Sequence, residues 1–138
     1  MNEQIQAIKK QFFAFRNGII ADALRKQSSY GVIFGLQVPQ IAEIARGLTP
    51  SMELADALWA DENVRESRIL ATYLFPIAET DLEKALTLAA QAKTIEEADM
   101  LAFRLLKRLP FAHDLHEAME SRNDISDYMK QTLANHLS

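Results

Sequence analysis

Along most of the chain, apolar residues recur three and four positions apart, the spacing that lines one face of an α-helix. Ile5, Ile8, Phe12 and Phe15 mark a first helix, with Asn17-Gly18 as its stop. A short helix over 19–26 follows, and residues 27–38 read as an ordered loop. Within that loop, Tyr30 to Gly35 is the only stretch with strand character, and it is short and closed by glycine. Pro39 suits the first turn of a helix running to Arg46, and Gly47 ends it.

From Pro50 onward the pattern repeats. Asn63-x-x-Glu66, Thr94-x-x-Glu97 and Asp124-x-x-Asp127 each set a short polar residue three positions before an acid. This is the capping-box arrangement, which takes up unpaired N–H groups at a helix start. The three signatures lie 31 and 30 residues apart, and each cap is followed by a β-branched residue, Val64, Ile95 or Ile125. An amphipathic helix precedes each one, over 51–60, 81–91 and 113–121. The expected architecture is all-α: three stacked antiparallel helix pairs over 50–138, preceded by a helical lead-in over 1–48, as a single domain spanning 1–138. One pair cannot bury its apolar face alone, but a stack of three makes a continuous core, as in an α-α superhelix.

Composition narrows the chemistry. Of the 138 residues, 49% are hydrophobic and none is cysteine, which excludes disulfides, thiolate metal sites and cysteine nucleophiles. The most apolar run, Ile69 to Ala78, is broken by Pro76 and too short for a membrane span. With no basic-then-apolar leader at its start, the chain is expected in the cytoplasm, away from membranes. The net charge of −4 leans away from a dedicated non-specific DNA binder, whose affinity comes from surplus Lys and Arg. No nucleophile elbow, P-loop, dinucleotide fingerprint or zinc motif is present, so no cofactor and no metal is expected.

Three segments carry a resemblance. Gly35-Leu36-Gln37-Val38-Pro39-Gln40-Ile41-Ala42-Glu43-Ile44-Ala45 resembles the G-x-x-x-P-x-x-R-x-x-A entry of the AlkD-like DNA alkylation repair family. The stretch from Glu53 to Trp59, followed by Glu66-Ser67-Arg68-Ile69-Leu70-Ala71, is similar to its E-L-x-x-x-L-W and E-x-R-x-x-A segments. Lys93 to Asp99 lies where the family has K-S-W-W-D-x-V-D. The resemblance runs from about Ile19 to Leu137. It implies a HEAT-like (ARM-like) repeat solenoid whose concave face is lined by the second helix of each pair. In active members that face grips duplex DNA and excises alkylated purines without metal or cofactor, using a Trp, an Asp and an Arg on successive second helices.

Carried onto this sequence, the Asp position is Asp99, the aromatic position is Ile95 and the Arg position is Met129. Isoleucine offers no π face to a cationic base, and methionine supplies no guanidinium. The chain also ends after the third pair, where the family usually continues its cradle. Arg65, Arg68, Arg104, Lys107 and Arg108 fall on the second helices and could form a basic strip for a phosphate or an acidic protein surface. His113 and His116 share one helix face, but no further ligands accompany them. Trp59 reads as core, and Met100, Met119 and Met129 read as gap-filling core or surface-groove residues rather than ligands. The expected function is therefore a non-catalytic binding module, monomeric or weakly dimeric, with a protein as the expected partner. The alternative is a glycosylase that excises alkylated purines from duplex DNA, with Asp99 as its carboxylate.

Overall fold

The first helix of each predicted pair begins thirty residues after the last. The computed structural model describes residues 2–138, and among them all the regular structure is helical. In chain order the helices are α1 (Asn2–Ala14), α2 (Gly18–Arg25), α3 (Val38–Arg46), α4 (Met52–Ala60), α5 (Arg65–Leu74), α6 (Leu82–Gln91), α7 (Ile95–Arg104), α8 (Ala112–Glu120) and α9 (Asp127–Leu137). Two 3₁₀ turns, Ile77–Glu79 and Leu106–Arg108, lie between them. The pair-opening helices α4, α6 and α8 start at 52, 82 and 112; their partners α5, α7 and α9 start at 65, 95 and 127.

The repeat holds, but the caps expected to mark it hold only once. Thr94 Oγ1 accepts the Glu97 N–H at 3.0 Å, and the Glu97 carboxylate reaches back to the Lys93 N–H at 2.9 Å. At the third pair the cap is Ser126, whose hydroxyl accepts the Met129 N–H at 3.0 Å. Asp124 instead forms a two-pronged pair with Arg122, at 2.8 and 2.7 Å. That bond holds the Asp124 carboxyl below its usual range and raises the Arg122 guanidinium. Of the pair-opening helices, α4 and α6 use ordinary caps, with Ser51 accepting from Leu54 and Asp81 from Lys84, whereas α8 starts after Phe111 with no side-chain cap. Phe15 falls beyond the end of α1 and stays half exposed, so only Ile8 and Phe12 of that stripe are fully buried.

The chain divides into two compact units, Met1–Leu74 and Phe75–Ser138. In the first, α5 is packed by α3 and α4, and nine of its ten residues are buried, including the polar Arg65, Glu66, Ser67 and Arg68. This burial explains the failed cap at Asn63. The loop before α3 lies across the start of α5 and takes over its polar groups. Asn63 Oδ1 accepts the Gly31 N–H at 2.9 Å, and Val32 forms a single parallel bridge with Val64, all that remains of the strand-like stretch. The Glu66 carboxylate, 0% exposed, accepts the N–H groups of Phe34, Gly35 and Leu36 at 2.9, 3.0 and 3.3 Å. Arg65 balances its charge at 2.8 Å and donates to the Leu36 carbonyl at 2.7 Å. A buried carboxylate is tolerated when it is hydrogen-bonded and paired, as here. Gly35 turns this loop with φ of +90°, and a Cβ there would collide with the Asn17 carbonyl.

In the second unit, α6 packs on α8, α7 on α9, and α8 on α9. Leu101, Leu105, Leu115, Met119, Met129 and Leu133 fill the space between these helices. The order is that of consecutive stacked pairs, with first helices against first helices and second against second.

Candidate functional site

The α7–α9 contact is built from two matched stripes. Ile95, Asp99 and Phe103 follow one another at four-residue intervals on α7, as do Tyr128, Thr132 and His136 on α9. Four residues make slightly more than one turn, so each set lines one face. The stripes meet in rungs. The Tyr128 hydroxyl donates to the Asp99 carboxylate, lying 2.9 and 3.0 Å from its two oxygens. The Thr132 hydroxyl donates to the same carboxylate at 2.9 Å. One turn further along both helices, the rings of Phe103 and His136 lie 5.7 Å apart, tilted by 44°. Because the rungs advance together on both helices, α7 and α9 run parallel.

Hydrogen bonds to a carboxylate are stronger than those between neutral groups. Here they have a measurable signature. The bond to Asp99, then burial, then the Asp99 charge raise the Tyr128 phenol above its ordinary value. Asp99 is thus engaged by two hydroxyl donors from α9. Met129, the position matched to the family arginine, is 0% exposed and belongs to the core. The residues that meet Asp99 are its neighbour Tyr128 and, one turn on, Thr132. A thirty-residue period carries Asp99 onto Met129, whereas its partners lie 29 and 33 residues on, to either side of that buried position. Ile95, at the aromatic position, is 63% exposed.

The five basic residues do not form one exposed strip. Arg65 and Arg68 are 3% and 1% exposed. Arg65 serves Glu66 and the Leu36 carbonyl. The Arg68 guanidinium lies 3.6 Å from the centre of the Trp59 ring and donates to the Trp59 carbonyl at 2.8 Å. Both are buried because α5 lies inside its unit, whereas a solvent-facing second helix would have displayed them. Arg104, Lys107 and Arg108 remain accessible around the end of α7. Lys107 Nζ lies 4.1 Å from the Phe103 ring centre, and the Arg104 guanidinium lies 6.0 Å from it.

Elsewhere, Trp59, Met119 and Met129 are buried as expected. His113 is exposed, and His116 lies 3.2 Å from Glu120 one turn along α8. Among the described residues, no group of three or more His, Asp or Glu converges as metal ligands would. No helix among them is long and apolar enough to cross a membrane.

An all-helical chain of thirty-residue helix pairs, with like helices stacked on like, has the architecture of the HEAT-like repeat proteins. The family model described as "DNA alkylation repair enzyme" matches residues 2–132, and the chain belongs to that family. Its fold is similar to a solved structure described as "A new family of proteins related to the HEAT-like repeat DNA glycosylases with affinity for branched DNA structures". The TM-score is 0.79 at 15% sequence identity, over 96% of this chain and 55% of that one. The chain therefore spans little more than half the length of that relative. No curated protein matches.

Proposed function

We propose that this protein is a HEAT-like repeat module that binds DNA without excising bases. The observation that carries the reading is the engagement of Asp99. A glycosylase of this fold would need that carboxylate facing the damaged nucleotide, beside an aromatic ring. Here Asp99 accepts two hydroxyl hydrogen bonds from α9, and the residue one turn before it is Ile95. Displacing both donors would forfeit two charge-assisted bonds before any substrate contact formed.

The sequence by itself favours a protein partner. The solved relative has affinity for branched DNA structures, and that weighs the choice of partner toward DNA. The net charge of −4 and the burial of Arg65 and Arg68 argue for few phosphate contacts. Binding through few contacts should discriminate DNA by its shape more than by its charge. A gel-shift titration with a labelled four-way junction and a linear duplex of the same sequence tests the reading. The junction should be retained at protein concentrations that leave the duplex free. Failure to retain either DNA at low salt would sink the proposal. Glycosylase activity, the alternative, would appear as release of alkylated purines that is lost in Asp99→Asn.

A further inference from the structure

Phe103 stands out on the α7–α9 face. It is a large aromatic side chain, 42% exposed, near the end of α7, which also leaves Ile95 exposed at its start. Three groups that carry or can acquire positive charge surround it. Lys107 lies over the ring at 4.1 Å, the Arg104 guanidinium is 6.0 Å away, and the His136 ring is 5.7 Å away. Arg108, on the same 3₁₀ turn as Lys107, is exposed. Even with Lys107 over the ring, the residue keeps 42% of its surface open to solvent.

The opposite end of the two helices has the reverse character. Glu96 lies in the first turn of α7 and Asp127 in the first turn of α9, and Asp99 lies on the shared face just beyond. A phosphate backbone laid along the whole face would meet the Asp99 carboxylate and be repelled. Only the Phe103 end suits a phosphate, and it does so over a short length. A flat ring ringed by cations is the arrangement that holds unpaired nucleotides, the base stacking on the ring and the phosphates meeting the cations. A duplex offers its phosphates but keeps its bases stacked inside, so it cannot use the ring.

We infer that Phe103, Lys107 and His136 form a stacking site for an unpaired nucleotide of a DNA strand. This rests on the DNA-binding reading above and specifies the part of a branched structure that the protein contacts. A branch with a flap, gap or splayed arm exposes such nucleotides, whereas a continuous duplex does not.

The test is fluorescence anisotropy with a labelled short oligothymidylate and, separately, a labelled four-way junction. The wild type should bind the oligothymidylate, and Phe103→Ala should weaken that binding by about 5-fold or more, the usual worth of one stacked base. Phe103→Trp should retain it, with the added indole fluorescence quenched on binding. Lys107→Gln should lower the slope of log affinity against log salt by about 0.7, the share of one phosphate contact on a single strand. Thermal melting of each variant separates a lost contact from a lost fold. Wild-type affinity in Phe103→Ala at an unchanged melting temperature overturns the inference, and so does an unquenched indole in Phe103→Trp. If junction binding persists while Phe103→Ala has no effect on either DNA, this inference fails alone. If the wild type binds no DNA, the functional reading fails with it.

Discussion

Tyr128 must break its bond to Asp99 before it can ionise, so its titration reports that contact directly. Its phenol is raised above the ordinary value of 10.0 by that bond. The stability the bond contributes is therefore fully present below the unfolded-state value and is lost as pH rises through the higher folded-state value. A near-ultraviolet absorbance titration should show a tyrosine step above pH 10.0 that disappears in Tyr128→Phe. If the step lost in Tyr128→Phe lies at the ordinary value, the bond is not formed in solution. A second residue-scale consequence concerns Arg68. Its charge and position on a second helix make it look like a DNA contact, yet it is enclosed against Trp59. Arg68→Ala loses a desolvated cation–π contact, a buried hydrogen bond and packing volume. It should destabilise the fold by about 2–4 kcal/mol in a denaturant titration. A change below about 0.5 kcal/mol is the surface-residue result and would contradict this placement.

At the scale of elements, helix positions were legible from apolar spacing, and of the three repeated cap signatures only the one at Thr94 marks its helix start. The period that predicts α4, α6 and α7 is a property of many residues, and losing one leaves the signal intact. A cap is a property of two residues, and its reading depends on what else is near. Asn63 and Glu66 have the spacing of a capping box. The loop over 31–36 supplies the N–H groups they bind, more than twenty-five residues earlier in the chain. Nothing local announces that, although Gly31 and Gly35 mark where the backbone passes close. At the third pair the period carries Asp99 onto the buried Met129, and the residues that meet it, Tyr128 and Thr132, flank that position. Paired substitutions check the corrected cap. Ser126→Ala should cost about 1 kcal/mol, the usual worth of an N-cap, whereas Asp124→Ala should cost less. The reverse order in urea titrations would restore the original register. The loop has its own test. Gly35→Ala meets both a positive φ and the Asn17 carbonyl, so it should destabilise by more than the ~1 kcal/mol typical of a point substitution.

For the whole molecule, the all-α class and the repeat family were within reach of the sequence, and the candidate site was reached only in part. Asp99 and Arg104 lie on α7, as the sequence places them, whereas Lys107 and Arg108 fall on the 3₁₀ turn beyond it. Arg65 and Arg68 lie on α5 but are buried, because residue identity reports charge while burial depends on which helix the fold encloses. The one-domain expectation for 1–138 stands as a proposal. It predicts a single calorimetric transition whose enthalpy equals its van't Hoff enthalpy. Two resolved transitions would give the units Met1–Leu74 and Phe75–Ser138 separate stabilities.

The central claim is that the family fold is used here for binding and that its carboxylate is occupied. Single-turnover release of methylated purines from an alkylated duplex, wild type against Asp99→Asn, tests this most directly. The account predicts that the two proteins release base at the same rate, no faster than the duplex alone. Release by the wild type above that background, abolished by Asp99→Asn, would contradict it.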